Sequence, residues 1–235
     1  MRKLLSFILL IGLSQVVVAG EIAKDFFDGT KYVLKAPVEK ENLPYTLGGL
    51  AIIGGGFALD GFDESDISID DELGDDLFGV AEFQGPVIIG TYLLGEINKD
   101  PKLKDTAIAA LHAEILTGVV THAMKHSIRR KRPDSNARTS FPSGHTSSIF
   151  SLAATYSCMS DWNPIVTTTS FGIAIYTGLS RIEGNDHHTS DVIAGAVIGT
   201  TIGYFTAKYY KEKKDRKITL EPSNDGMGVA LVYRF

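Results

Sequence analysis

The spacing of apolar residues along the chain predicts a mainly helical protein. Between Pro101 and Arg130, apolar residues recur at every fourth position, which marks one face of a helix: Ala107, Leu111, Ile115 and Val119. Asp105 is the predicted N-terminal cap of this helix. Three further helices are predicted downstream, over 143–157, 164–179 and 190–210.

Glycines at four-residue spacing mark the last of these predicted helices. Gly195, Gly199 and Gly203 lie on one side of it. Because glycine has no side chain, a neighbouring helix can approach this side closely. Such spacing occurs in membrane helices and in tight soluble packing, so it does not decide between them.

The N-terminal half gives weaker patterns. Residues 25–34 predict a helix that lies along a surface or interface. The run 47–59 is apolar but rich in glycine and short for a bilayer span, so close packing against a neighbour would explain its glycines. Residues 78–97 are apolar around Gly85 and Pro86, which predicts two pieces or one kinked helix.

The periodicity changes after Lys217. Ile218 and Leu220 alternate with polar residues, the segment 223–226 has the composition of a turn, and alternate positions up to Phe235 are apolar or aromatic. Residues 217–235 therefore predict a short β-hairpin or tail, which follows a helical domain of residues 21–216.

The first twenty residues have the layout of a secretory signal peptide. Arg2 and Lys3 precede a short apolar run, and the small residues Ala19 and Gly20 follow it. The alternative is a retained membrane anchor, although the run is short for a membrane span. A signal peptide over 1–20 predicts an exported protein, in a periplasm or elsewhere in the cell envelope.

Composition limits the classes of function. Of the 235 residues, 44% are apolar and 22% are charged, and the net charge of −5 argues against a general affinity for nucleic acid. The acidic stretch 60–76 lacks the spacing of a helix-loop-helix calcium loop, which favours a solvated loop or helix start. His122 and His126 have the spacing of helix metal ligands, but no acidic or cysteine ligand nearby completes a metal site.

Three clusters of polar residues between 125 and 191 carry the candidate chemistry. In the first, Lys125 and Arg132 are seven positions apart, so both would point the same way on a helix. Pro133 should end that helix, because the residue before a proline is pushed out of helical geometry. Arg132 could then swing toward a ligand. By itself, the cluster also fits a solvated basic helix end.

The second cluster, Pro142 to Thr146, has the composition of a helix start. Ser143 can cap the helix, Gly144 lets the backbone approach a ligand, and the free N–H groups at a helix N-terminus bind anions. His145 would then stand next to whatever anion is bound. An ordinary capped helix with an incidental histidine fits the same residues.

The third cluster pairs a histidine with a carboxylate. His187 and Asp191 are four positions apart, so in a helix the carboxylate would fix the imidazole tautomer and raise its basicity. Arg181 adds a cation. Because Gly184 and Asn185 predict a turn, a surface loop with a simple His–Asp contact is the alternative.

The order and spacing of the three clusters resemble the motifs of the type 2 phosphatidic acid phosphatase superfamily, with no departure at any motif position. The motifs are Lys125-x6-Arg132-Pro133, Pro142-Ser143-Gly144-His145 and Ser180-Arg181-x5-His187-x3-Asp191. The resemblance covers about residues 120–195. It implies an all-α helical bundle of the acid phosphatase and vanadium haloperoxidase type, with the clusters brought to one end.

The resemblance also implies a role for each motif residue, without a metal or other cofactor. One set would bind the phosphate: Lys125, Arg132, Ser143, Gly144 and Arg181. His187 would attack phosphorus and form a phosphohistidine, while Asp191 would orient its ring. His145 would protonate the leaving alcohol and then activate water.

The implied activity is hydrolysis of phosphate monoesters or pyrophosphates. The substrate would be a lipid phosphate such as phosphatidate, an isoprenyl pyrophosphate or a soluble ester. Polar residues within the predicted helices favour a soluble or peripheral protein over an integral one. The alternative under the same resemblance is a vanadium-dependent haloperoxidase with His187 as the vanadate ligand, although those enzymes are usually much longer. The oligomeric state stays open.

Overall fold

The computed structural model describes residues 23–60, 83–215, 218–222 and 229–233, and most of them form a bundle of helices. Residues 23–35 are helical and are called α1, and a short 3-10 helix follows at Ala36–Val38. The longer helices are α2 (Leu43–Gly56), α3 (Gln84–Ile97), α4 (Pro101–Ile128), α5 (Gly144–Met159), α6 (Pro164–Glu183) and α7 (Thr189–Asp215). The predicted signal peptide lies outside the described residues.

Helix α4 begins earlier than its apolar pattern predicts. Asp100 caps it, because Oδ1 of Asp100 accepts a hydrogen bond from the Lys102 N–H at 2.8 Å. Pro101 occupies the first helical position, where its fixed φ suits the helix and its missing N–H has no partner to lose. The predicted cap at Asp105 is therefore wrong.

Helix α5 lies at the centre of the bundle and packs most closely against α7. A Cβ atom at Gly199 would lie 2.0 Å from the carbonyl oxygen of Ser147, and one at Gly203 would lie 2.2 Å from that of Ser151. Both distances are far below van der Waals contact, so only glycine fits here. The predicted close approach along these glycines is confirmed, and it brings the two helices together backbone to backbone.

The glycine-rich segment forms α2, and part of it packs against α7 as predicted. A Cβ at Gly49 would lie 3.0 Å from Val197, and one at Gly56 would lie 3.1 Å from Ile193. Nothing lies within 4 Å of such an atom at Gly54. Helix α2 therefore uses some of its glycines for close packing and leaves others on an open face.

Helix α3 is continuous through the glycine and proline near its start. Gly85 and Pro86 fall in its first turn, where backbone N–H groups have no partner within the helix. The proline therefore does not kink the helix at this point. Residues 78–82, which belonged to the same predicted segment, lie outside the described residues.

Helices α2, α3 and α4 expose many large apolar side chains. They are Leu47, Leu50 and Ile52 on α2, Ile89, Leu93, Leu94 and Ile97 on α3, and Leu111, Ile115 and Val119 on α4. Among the described helices, α4 alone has the length and composition to cross a membrane, and 44% of its apolar stretch is buried in the bundle. Large exposed apolar surfaces mark sites of contact with a membrane or another protein.

Two short strands follow the bundle. β1 (Ile218–Pro222) and β2 (Val229–Tyr233) pair antiparallel, with Ile218 opposite Tyr233 and Pro222 opposite Val229. The predicted turn over 223–226 lies outside the described residues. The motif clusters all lie before these strands, so the strands do not contribute to them.

Candidate active site

Arg132 lies in a loop rather than on the face of a helix. Helix α4 ends at Ile128, and Arg129 closes it in the left-handed conformation (φ 53°), with its N–H bonded to the Lys125 carbonyl at 3.0 Å. The predicted common helix face of Lys125 and Arg132 is therefore wrong. The loop itself positions Arg132, whose N–H donates to the Ala137 carbonyl at 3.0 Å.

The Lys125 side chain lies over the start of α5. Its Cε is 3.6 Å from the point where a Cβ of Gly144 would stand, and its ammonium group donates to the Thr139 carbonyl. The charge of Lys125 is therefore close to the N-terminus of α5, where free N–H groups and the helix dipole also favour an anion.

Ser143 and His145 lie at this helix start, in positions that agree with the motif. Ser143 is the buried N-cap residue, but its hydroxyl does not accept a helix N–H, so the predicted side-chain cap is wrong. Instead, Thr146 Oγ1 donates to Ser143 Oγ at 2.9 Å, which leaves the Ser143 proton for another acceptor. His145 is the second residue of α5 and is half-buried.

Asp186 joins the two arginines of the site. Nη1 of Arg132 donates to Oδ1 of Asp186 at 2.8 Å, and Nη2 of Arg181 contacts the other oxygen of the same carboxylate. The side chain of Arg181 is only 4% exposed. Two guanidinium groups converging on one carboxylate have the geometry that also suits a phosphate. Asp186 lies between the motif positions, so the motif reading did not assign it a role.

His187 stands next to Asp191, although the pair is not helical. Helix α7 begins at Thr189, so His187 precedes it, and Nδ1 of His187 lies 3.9 Å from Oδ2 of Asp191. That distance allows an ion pair but is longer than a hydrogen bond. Oδ2 accepts instead from the His188 N–H at 3.0 Å and from the Ser140 hydroxyl at 2.6 Å.

The surroundings of His187 keep its imidazole neutral. Burial lowers the pKa of His187 to about 4, and the nearby Lys125 and Arg132 add to this effect, while Asp191 opposes it. Nδ1 faces Asp191 and Ser140, so Nδ1 is the nitrogen placed to carry the proton. Nε2 then keeps its lone pair on the opposite side of the ring.

Arg130 links Asp191 to a second carboxylate, that of Asp60. Nη1 of Arg130 donates to Oδ1 of Asp191 at 2.7 Å, and its Nη2 donates to Asp60 at 2.6 Å. Asp60 also accepts from the N–H and the hydroxyl of Ser190, at 2.8 and 2.7 Å. Burial raises the pKa of Asp60, but these hydrogen bonds outweigh burial and hold that pKa below its usual value. Arg130 also lies 5.1 Å from the ring centre of Phe57.

The ion pair of Asp60 corrects one sequence prediction. Asp60 is the first residue of the acidic stretch, which was interpreted as a solvated loop or helix start. For Asp60 this interpretation is wrong, because its side chain is only 15% exposed and binds Arg130. Residues 61–76 lie outside the described residues.

The histidine pair on α4 lies apart from these contacts. The ring centres of His122 and His126 are 4.1 Å apart with the rings tilted by 42°, and Nδ1 of His126 forms a hydrogen bond with the His122 carbonyl at 2.9 Å, so the two histidines contact each other along the helix. Within the described ranges, no group of three or more metal-binding side chains is assembled.

The sequence motifs predicted eight candidate site residues and did not include four residues that hold some of these in place. Ser140, Arg130 and Asp186 lie between the first and the last motif residue. Their closeness in sequence to the motif residues could have identified them, but they are not motif positions themselves. Asp60 precedes its partner Arg130 by 70 residues, and no local pattern connects them.

Known proteins are similar to the part of the chain that contains the motifs. A model of the PAP2 superfamily matches residues 106–215, which contain all three motifs. A lipid A 1-phosphatase of Porphyromonas gingivalis is 40% identical over 92 residues, which cover 37% of this chain and 20% of that protein. A phospholipid phosphatase 2 of Rattus norvegicus is 27% identical over 152 residues, which cover 60% of this chain and 53% of that protein. The chain thus spans between a fifth and about half of these relatives.

A solved structure shares the fold. The transmembrane PAP2-type phosphatidylglycerolphosphate phosphatase of Bacillus subtilis superposes with a TM-score of 0.52 at 20% identity, over 81% of this chain and 96% of that one. At this identity the likeness concerns the fold alone, and it agrees with the helical bundle expected from the motifs. The PAP2 superfamily model thus matches the part of this chain that contains the three motifs, residues 106–215.

Proposed function

We propose that the chain is a phosphatase that transfers the phosphoryl group of a lipid-linked phosphate ester or pyrophosphate first to His187 and then to water. One observation carries the proposal: a buried, neutral His187 lies beside Asp191, and Lys125 and Arg132 are near enough to influence its charge. A neutral imidazole is a competent nucleophile, and fixed cations stabilise the charge that spreads over the phosphoryl oxygens.

In the first step, Nε2 of His187 attacks phosphorus. The bond from phosphorus to the leaving oxygen breaks, and protonated His145 gives its proton to that oxygen. Asp191 and Ser140 hold the proton on Nδ1 and stabilise the positive charge that develops on the ring. The products are a phosphohistidine and an alcohol, or a phosphohistidine and a phosphate monoester if the substrate is a lipid pyrophosphate.

In the second step, His145 is neutral and accepts a proton from water. The resulting hydroxide attacks phosphorus, the bond from phosphorus to Nε2 breaks, and inorganic phosphate leaves. His187 regains its lone pair, and His145 is protonated again for the next cycle. Lys125, Arg132, Arg181, Ser143 and the Gly144 N–H bind the oxygens in both steps, so the cycle uses no metal.

An amphiphilic substrate is supported by the apolar outer surface. Helices α2, α3 and α4 expose leucine, isoleucine and valine side chains, which acyl chains of a membrane would cover. Relatives are named for lipid A, diacylglycerol pyrophosphate and phospholipids. We therefore propose an envelope protein in contact with the membrane, exported through residues 1–20, rather than a freely soluble one.

Hydrolysis assays with EDTA present test the proposal directly. We expect the purified chain in detergent to release phosphate from phosphatidate and from para-nitrophenyl phosphate, and His187→Ala to lower both rates by more than 1,000-fold. His126→Ala on the exposed side of α4 is the matched control and should keep the wild-type rate. A phosphorylated chain that is stable to alkali and labile to acid should be trapped with labelled substrate. Near-normal turnover by His187→Ala would refute the nucleophile.

A further inference from the structure

A groove leads away from the phosphate-binding residues between α3, α4 and α5. It has a volume of about 510 Å³, begins at Lys125 and Gly144, and extends to Gln84 near the start of α3. Its walls are mostly apolar and include Ile88, Leu111 and Ile115. Because Lys125 and Gly144 belong to the phosphate site, whatever occupies the groove is continuous with a bound phosphate ester.

Three polar side chains interrupt the apolar wall at the far end. Gln84 is 1% exposed and Ser148 is 6% exposed, and Glu114 stands beside them on α4. The Ser148 hydroxyl lies 2.8 Å from the side-chain oxygen of Gln84 and also contacts the carboxyl group of Glu114. We call Gln84, Glu114 and Ser148 the polar cluster.

The polar cluster cannot satisfy its own hydrogen bonds. Ser148 has one hydroxyl proton, so it donates to Gln84 or to Glu114 but not to both. The second contact requires either a protonated Glu114 that donates to Ser148, or a Gln84 amide rotated so that its NH₂ group donates. In either arrangement, one polar atom of Gln84 and one of Glu114 remain without a partner in the polar cluster.

Those remaining atoms are buried without a partner among the described residues. They are the amide nitrogen of Gln84 and Oε1 of Glu114. A buried polar group without a hydrogen bond is destabilising, and such groups in native proteins usually bind a ligand or water. With Glu114 protonated and donating to Ser148, these two atoms are a donor (the Gln84 amide nitrogen) and an acceptor (Oε1 of Glu114), which matches a hydroxyl group or an amide.

We propose that the groove holds the apolar part of the substrate, and that Gln84 and Glu114 bind a hydroxyl or amide group carried on that part. The inference rests on the proposed phosphatase function and specifies its substrate class. Ser148 follows Gly144 by four residues on α5. At about 1.5 Å per residue, the polar cluster lies about 6 Å along that helix from the helix start that binds the phosphate.

A series of phosphatidates with one hydroxyl group at successive acyl carbons tests the position. We expect kcat/KM of the wild-type protein to peak at one hydroxyl position, about tenfold above the unsubstituted lipid. The reason is that a lipid without the hydroxyl group leaves the buried polar atoms of the site without a hydrogen-bond partner. Gln84→Met and Glu114→Met keep the side-chain length but remove the polar atoms. Both variants should lose the peak while they hydrolyse para-nitrophenyl phosphate at the wild-type rate.

Leu111→Met is the matched control, because it changes the wall of the same groove without a polar atom, and it should keep the peak. Equal kcat/KM for all hydroxyl positions, or an unchanged peak in both Gln84→Met and Glu114→Met, would overturn the inference. Loss of para-nitrophenyl phosphate hydrolysis in one variant would indicate that this variant is misfolded. The presence or absence of the peak in the other variant would then test the inference.

Binding measurements separate this inference from the proposed function. Phosphonate analogues of the same lipids cannot be hydrolysed at the phosphorus–carbon bond, so their binding does not require turnover. If no ester is hydrolysed but the hydroxylated phosphonate binds about tenfold more tightly than the plain one, the groove inference stands and the phosphatase proposal falls. If esters are hydrolysed but the phosphonates bind equally, the groove inference alone falls.

Discussion

Ser140 donates a hydrogen bond to Oδ2 of Asp191 at 2.6 Å, and the same hydroxyl lies 3.4 Å from Nδ1 of His187. The serine thus stands between a carboxylate and an imidazole that are 3.9 Å apart, too far for a direct hydrogen bond. Ser140 is fully buried, so water does not replace it. This contact makes Ser140 a positioning residue for the proposed nucleophile.

Ser140→Ala should lower kcat by about tenfold to a hundredfold and change KM little, because substrate binding does not use this hydroxyl. Steady-state kinetics with phosphatidate measure the two constants separately. Ser140→Thr, which keeps a hydroxyl, should recover part of kcat. A proportional loss of kcat and stability in both variants would indicate a purely structural role.

Arg130 should support Asp191 as strongly as Ser140 does. Arg130→Gln leaves the fully buried Asp191 without its cation, so we expect the free energy of unfolding to fall by about 3 kcal/mol and kcat to fall as well. Asp60→Asn should have a smaller effect on kcat, because Asp60 acts through Arg130. Chemical denaturation and kinetics on the two single variants and the double variant measure the coupling. Additive losses would contradict the proposed link from Asp60 to Asp191.

Gly199→Ala should separate α5 from α7 and destabilise the bundle. The new Cβ would lie 2.0 Å from a backbone oxygen that no rotamer change can move, so we expect a loss of about 3 kcal/mol or failure to fold. Gly172→Ala on α6 is the control, because nothing lies within 4 Å of its Cβ. It should be neutral or slightly stabilising, since alanine favours helix over glycine. Thermal unfolding of both variants in detergent compares them.

The pH dependence of kcat/KM should have its acid limb near pH 4. The pKa of His187 is lowered to about 4, so the ring is neutral and nucleophilic above that pH and becomes protonated as the pH falls through it. A pH profile with para-nitrophenyl phosphate measures this limb. An acid limb above pH 6.5 would contradict a desolvated His187.

Local sequence predicted helices α4 to α7 close to their observed positions, and its errors have physical causes. The cap of α4 was placed at Asp105 rather than Asp100, because apolar periodicity locates the body of a helix better than its end. The predicted end of α4 was wrong because Arg129 adopts a left-handed conformation, which no residue pattern indicated. Arg132 therefore reaches the site from a loop.

The sequence by itself determined which residues are the candidates for the chemistry: three cations, two histidines, an aspartate and a small-residue helix start, all at fixed local spacing. Only the tertiary structure decided what surrounds them. Asp60 reaches Arg130 across 70 residues, and Gln84 meets Ser148 across 64. Such contacts depend on how α2, α3, α5 and α7 pack, and packing is a property of the whole bundle rather than of any one segment. The motifs therefore indicate the proposed reaction, whereas the packing of the helices determines how the proposed nucleophile is held and what the groove can bind.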